Sequence, residues 1–319
     1  MMTWLGRGLA AVAAVAALHG AAWTYATARL QREVEARLDG LRRDGWAIQA
    51  EAPSYSGWPF AAAVSYRRMA VDGAAAGVPA AWSADEASVA IRAAQPGTLL
   101  IVPSGAQRWR LTGAAWVPVT AASFELAANS AGIGLSGREV VLHLPGGSVG
   151  VAGLDARAAG RSLQVSLTGI EAAPFIEAGR ATLDASLTGA VPAGPDPAGG
   201  AAAWRDGGGK VQVSSVTLEA SGLAVSASGG GGLDADLQPM LDLAAQVRGH
   251  RAALDRLVQA GVVPASTAVA AKAVLGLLSG RDADAPAAVR LRLADAVVSV
   301  AGFPLLRVPF VNWAPVPGR

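Results

Sequence analysis

From Trp46 onward the sequence changes period. Before that point apolar residues recur at helical spacing; after it, short runs alternate apolar with polar residues almost to the end. Period two marks strands with one buried face, and such runs broken by Gly, Pro and Ser read as antiparallel sheet. The runs are Ala61 to Arg67, Glu86 to Ala93, Gln107 to Leu111, Ser123 to Ala127, Glu139 to Leu144, Ser162 to Leu167 and Arg180 to Leu187. Lys210 to Ala220 alternates through Val211 and Val213, then shifts phase to Val216 and Leu218, which predicts a bulge. Leu223, Val225 and Ala227 lead into a Gly229–Gly232 turn, followed by Leu233, Ala235 and Leu237. Val289, Leu291 and Leu293 close the series between Arg290 and Arg292. Helical spacing returns only at 250–261, with Leu254, Leu257 and Val258 on one face, and at 265–279 behind Pro264.

The expected fold is therefore mainly β. Many short strands form one or more curved antiparallel sheets, or a sandwich, with an N-terminal membrane helix and a C-terminal helix pair (α+β). Residues 46–189 read as a first β-rich part and 210–319 as a second. Between them 190–209 is dense in Gly and Pro and reads as a linker or loop.

The N-terminus sets the expected compartment. Between Arg7 and Arg29 lie 21 uncharged residues, long enough to cross a bilayer core. Trp23 and Tyr25 near the distal end suit a membrane interface. Residues 1–28 thus read as a signal-anchor or transmembrane helix, or as a secretory signal cut after Ala26-Thr27-Ala28. Leu30, Val34, Leu38 and Leu41 then mark an amphipathic helix over 29–45. Arginines 29, 32, 37, 42 and 43 follow the apolar segment, and counted strictly they favour a cytoplasmic body. Amino-terminal signals nonetheless translocate routinely behind one or two leading charges, so export to the periplasm is the expectation.

Ser56-Gly57-Trp58-Pro59-Phe60, after an apolar segment and a short helix, resembles the signature of the bacterial domain-of-unknown-function 2125 family. Trp82-Ser83-Ala84 and Pro103 to Gln107 are similar to further blocks of that family. So is the ending, Leu291 to Asp295 through Gly302-Phe303-Pro304-Leu305, although the family usually shows Asp-Gly where this chain has Asp295-Ala296. The resemblance implies a bacterial envelope protein without an established activity. The helix-then-hairpin ending is also loosely similar to AsmA-like envelope proteins, whose curved sheets are associated with lipid handling.

Composition removes most chemistry. There is no cysteine, so disulfides, thiolate metal sites and a cysteine nucleophile are excluded. Three histidines leave little for a metal centre, and a net charge of +2 gives no concentrated basic patch for nucleic acid. Gly132 to Gly137 spells G-x-G-x-x-G, but a strand pattern follows where a dinucleotide site needs a helix, so it reads as a glycine-rich turn. His143 and His250 lack a marked nucleophile and read as surface or core histidines. Asp234, Asp236 and Asp242 could weakly hold a metal if two shared a strand face; a solvated face is the plainer reading.

Trp58, Pro59 and Phe60 remain as candidate site residues. They read either as a packing corner or as the lip of an apolar groove or a membrane contact. The expected function is a non-enzymatic, membrane-anchored periplasmic protein of the bacterial inner membrane, without cofactor, which binds or shields lipid or another apolar ligand. The alternatives are a scaffold that recruits envelope proteins by strand addition and, more remotely, a hydrolase with an unrecognised site.

Overall fold

The computed structural model describes residues 2–75, 78–111, 115–144, 147–172, 176–189, 196–259, 261, 263–278, 285–311 and 313, with the side chains of 2–15, 74–75, 78–79, 111, 176–177, 197, 277–278 and 306 outside that description. Helix α1 (Met2–Arg43) comes first, followed by the short strands β1 (Ala47–Gln49) and β2 (Ser54–Ser56). Long strands β3 (Ala61–Ala75), β4 (Val78–Arg92) and β5 (Leu99–Leu111) follow. Next come β6 (Val117–Thr120), β7 (Ser123–Asn129), β8 (Gly132–Leu144), β9 (Gly147–Ala159), β10 (Ser162–Ala172) and β11 (Ile176–Leu187). Helix α2 (Pro197–Asp206) separates these from β12 (Val211–Ala220), β13 (Leu223–Leu233) and β14 (Pro239–Arg248). Helices α3 (His250–Gln259) and α4 (Ala265–Leu278) lead to β15 (Ala287–Ala294), β16 (Val297–Val300) and β17 (Phe303–Arg307).

All seventeen strands belong to one antiparallel sheet. It is a meander, in which nearly every strand pairs with its neighbour in the chain. β1 and β2 lie end to end along β3, and β6 and β7 lie end to end between β5 and β8. The two expected β-rich parts are therefore one sheet. β11 and β12 join directly, from Arg180 opposite Glu219 to Leu187 opposite Val211, and no second sheet is stacked as in a sandwich among the described residues.

The strands are longer than the alternating runs, because bulges reset the phase without ending the strand. On β3 the apolar positions Val64 and Tyr66 give way to Met69 and Val71, with Arg68 at φ +48° between them. On β8 the change falls at Glu139, φ +50°, and on β10 at Gly169, φ +59°. The expected bulge of β12 is present, as a register shift between Val213 and Val216. Each extra residue kinks and twists its strand while returning the apolar side chains to the same face. Ala178 of β11 also has φ +52° and is exposed. Replacing Ala178 by Gly should therefore raise stability by about 1 kcal/mol, read as a higher denaturation midpoint, since the strained conformation is removed with no buried methyl lost.

Two expected turns are strand instead. Gly132 to Gly137 opens β8, and Gly229–Gly232 lies inside β13. In β13 the glycines permit close approach of backbones: a Cβ on Gly231 would lie 2.0 Å from Met240 O, and one on Gly229 2.3 Å from Asp242 O. The turn comes later, at 234–238, where strand alternation was expected. The expected linker is also corrected. Residues 190–195 lie outside the described residues, but 197–206 form α2. Asp196 caps it by accepting from Gly199 N at 2.9 Å, and Pro197 fits the first turn, where its missing N–H costs nothing. Trp204 Nε1 donates to Thr188 O at 2.8 Å, and Arg205 donates to Asp234 O and Ala235 O, so the helix is tied to two neighbouring turns.

Helix α2 touches both β13 and β4. In a flat sheet those strands, eight ladder steps apart, would be separated by roughly 38 Å. A ten-residue helix is only about 15 Å long. The sheet must therefore curl.

Helix α1 is continuous across the expected boundary at residue 28, and it docks on the sheet. Leu30 and Val34 are buried with Val64, Tyr66 and Val89, a contribution of roughly 1.5–3 kcal/mol for each large side chain. Docking begins inside the segment expected to span a membrane. Thr27 is buried, Trp23 Nε1 donates to Ala61 O at 2.7 Å, and His19 Nε2 donates to Pro59 O at 2.9 Å. Among the described residues no helix is long and apolar enough to cross a membrane. The expectation of a transmembrane helix over 1–28 is corrected accordingly. Ten of the 21 residues after Arg7 are alanine, and the last ten carry His19, Trp23, Thr24 and Thr27, which face protein as well as solvent.

Candidate apolar face and aromatic rim

Residues directly opposite in an antiparallel ladder share a face, so the register identifies what each face carries. One row crosses twelve strands without a polar side chain. It runs Val64, Val89, Ile101, Leu126, Leu135, Ala156, Val165, Leu183, Val216, Ala227, Ala245 and Val289. A second row, one pleat nearer the strand ends, runs from Leu99 through Ile133, Leu163, Val213, Leu243 and Leu291 to Phe303. A third, on the other side, includes Phe124, Leu154, Leu167, Leu218, Val225 and Val247.

Helices cover this face at its two ends. α1 packs on β3, while α3 and α4 pack on β13 and β15 around Leu254, Ala268, Ala271 and Leu275. Between them the floor is only half-buried at Leu154, Val165, Leu167 and Leu183, and Ile133 and Leu163 are exposed at 51% and 38%. Scattered exposed apolar residues are ordinary; a contiguous apolar stretch crossing several strands is not.

The sequence-predicted trio sits at one rim of the sheet, between β2 and β3, with a cis bond between Trp58 and Pro59. Trp58 is 59% exposed and Phe60 78%, so their rings do not form a packing corner. His19 meets Trp58 edge-on at 6.2 Å between centroids, and Leu18 and Tyr25 of α1 are also exposed. The same strand ends carry Ile133, Leu163, Met240 and, on the tail after β17, Phe310, all exposed. Ile133, Leu163 and Phe310 were not singled out from the sequence, where Ile133 reads as part of a glycine-rich turn and Leu163 as one position of an ordinary strand. Only the meander register brings their strand ends to one rim.

The remaining sequence candidates are dispersed. His143 is exposed on β8, 3.4 Å from Thr120 Oγ1, and His250 is buried beyond β14, with five strands between β8 and β14. Asp234 and Asp236 lie in the 234–238 turn rather than on one strand face. Asp234 Oδ1 accepts from the backbone N–H groups of Asp236 and Gln238 at 2.9 and 2.7 Å. Asp242 is paired with Arg290, whose two hydrogen bonds hold its carboxyl below the ordinary carboxylate range. Among the described residues no three His, Cys, Asp or Glu side chains are placed to hold a metal.

On the face opposite the apolar rows, β12 to β15 form an open depression of about 1090 Å³. Its polar lining includes Ser226, Ser228, Gln246 and the Asp242–Arg290 pair. Over β12 to β15 the two faces thus differ in chemistry: one carries hydroxyl, amide and charged groups, the other hydrocarbon.

A family model described as "Uncharacterized protein conserved in bacteria (DUF2125)" matches residues 23–309. No curated protein and no solved structure matches the chain, and the looser likeness to AsmA-like proteins has no counterpart among these comparisons.

Proposed function

Since the chain belongs to the DUF2125 family of proteins conserved in bacteria, we propose that it is a non-enzymatic protein of the bacterial envelope, on the periplasmic side, that shields lipid or another apolar ligand on its sheet. The observation that carries this reading is the middle of the apolar face, where rows of Leu, Val and Ile cross strand after strand and no helix among the described residues covers them. Burial of apolar surface stabilises by about 25 cal/mol per Å², so an acyl chain laid along these rows gains by leaving water, and so does the protein. The rim supports the same reading. Trp58, Phe60, Leu18 and Tyr25 suit a bilayer interface, where an aromatic ring and its polar edge are both accommodated. In this reading the rim touches the membrane surface, and the apolar face starts at that contact.

The test is direct. Full-length protein purified in mild detergent and extracted with organic solvent should yield lipid in near-stoichiometric amount. Protein that reproducibly carries none would sink the proposal. Recovery instead of defined protein partners cross-linked to β17 or β1 would favour the scaffold that recruits by strand addition.

A further inference from the structure

Beneath α3 and α4 lies a half-open apolar pocket distinct from the open middle of the sheet. The cavity has a volume of about 170 Å³, walled by Leu254 of α3, Leu275 of α4, Val247 of β14 and Leu291 of β15. Phe303 of β17, 37% exposed, stands at its margin. Every lining side chain is a hydrocarbon except one, His250, the first residue of α3.

That histidine is 3% exposed, and neither Nδ1 nor Nε2 has a hydrogen-bond partner. The backbone holds it there. Gly249 makes the corner from β14 into α3 at φ +68°, and a Cβ at that position would lie 1.9 Å from Gly222 O. Burial, with a smaller push from the charge of Arg251, moves the imidazole below its ordinary value of 6.5. At neutral pH it is therefore uncharged, with one N–H to donate and one nitrogen to accept. A water molecule is a poor occupant, because buried water needs two to four polar partners and the lining side chains supply one ring. An apolar cavity of roughly 150 Å³ takes up a benzene-sized molecule.

We propose that this cavity binds a hydroxyl-bearing apolar molecule, or chain end, of about one ring's size, with the His250 ring as the partner of its hydroxyl. A hydroxyl both donates and accepts, so it fits either imidazole tautomer. The proposal stands on the cavity alone and does not require the open face to carry lipid.

The experiment uses the full chain labelled with ¹⁵N-histidine, titrated with p-cresol and 1-octanol, and with toluene and octane as partners lacking the hydroxyl. The ring signal of His250, assigned by its loss in His250→Leu, should shift while those of His19 and His143 stay. The hydroxylated probe should bind roughly tenfold more tightly than its hydrocarbon counterpart, from one buried hydrogen bond. His250→Leu should reduce that ratio to about one while still binding toluene, which also shows that the cavity has formed. His250→Asn, keeping a donor and an acceptor, should retain part of the preference. A shift with p-cresol assigns a ring alcohol, and a shift with 1-octanol alone a chain alcohol. No shift with either, or an unchanged preference in His250→Leu, overturns the proposal.

Discussion

Placing glutamate at both Ile133 and Leu163 should strip the protein of bound lipid, reducing the amount recovered by at least tenfold. Both side chains lie in the second apolar row, with Ala158 between them, near the start of β8 and β10. They are 51% and 38% exposed, so the carboxylates reach water in the empty protein and the fold should survive, with a near-native denaturation midpoint. An acyl chain laid across those strands would instead have to bury or displace two charges. Discrimination of 1.4 kcal/mol already gives a factor of ten, and an unpaired charge against hydrocarbon costs more than that. Lipid recovery equal to wild type from a folded double variant would show that lipid does not sit on this face.

Serine at both Trp58 and Phe60 should weaken association with vesicles of phosphatidylethanolamine and phosphatidylglycerol by roughly thirtyfold in a sedimentation assay. Complete burial of a large apolar side chain is worth about 1.5–3 kcal/mol, and two rings partly immersed at an interface together supply about 2 kcal/mol. The fold should not change, because both rings stand largely in solvent. The hydrogen bonds that dock this end of α1 run from His19 and Trp23 to the backbone of Pro59 and Ala61, so the substitution at Trp58 removes only the edge-on contact with His19. Vesicle binding unchanged in the double variant would remove the rim from the membrane-contact reading, and would leave the apolar face to be judged by the first experiment.

The two experiments rest on features of unequal visibility in the sequence. Alternation at Ala61 to Arg67 and Ser162 to Leu167 located strands correctly, and the phase shift between Val213 and Val216 located a bulge. Strand lengths were hidden because a bulge looks like an ending when only the alternation is read. Met69 and Val71 are in phase with nothing before Arg68, yet they belong to the same strand and the same face. Glycine misled twice for one reason. At Gly132–Gly137 and Gly229–Gly232 it serves backbone proximity within a ladder, whereas composition alone favours a turn. The resemblance implied a closing hairpin at Asp295-Ala296, and there is one, with both residues at positive φ, the geometry for which Asp-Gly is the easier pair. Trp58 and Phe60 could be singled out from the sequence, but the rim they share with Phe310 required the register. His250 was legible only as a surface or core histidine, since nothing local says that two helices will close over it.

The strict meander has a consequence for how the protein is made. Apart from the touch of α2 on β4, nearly every ladder joins segments that follow one another in the chain, so contact order is low for so large a sheet. A chain emerging amino terminus first can add each strand to the growing edge as soon as it appears, with α1 already waiting to seat against β3. At every moment only one fresh edge is open to mispairing, rather than many. Such a sheet can also lengthen or shorten by one hairpin at a time in evolution, extending or trimming the hydrocarbon surface without renegotiating the rest.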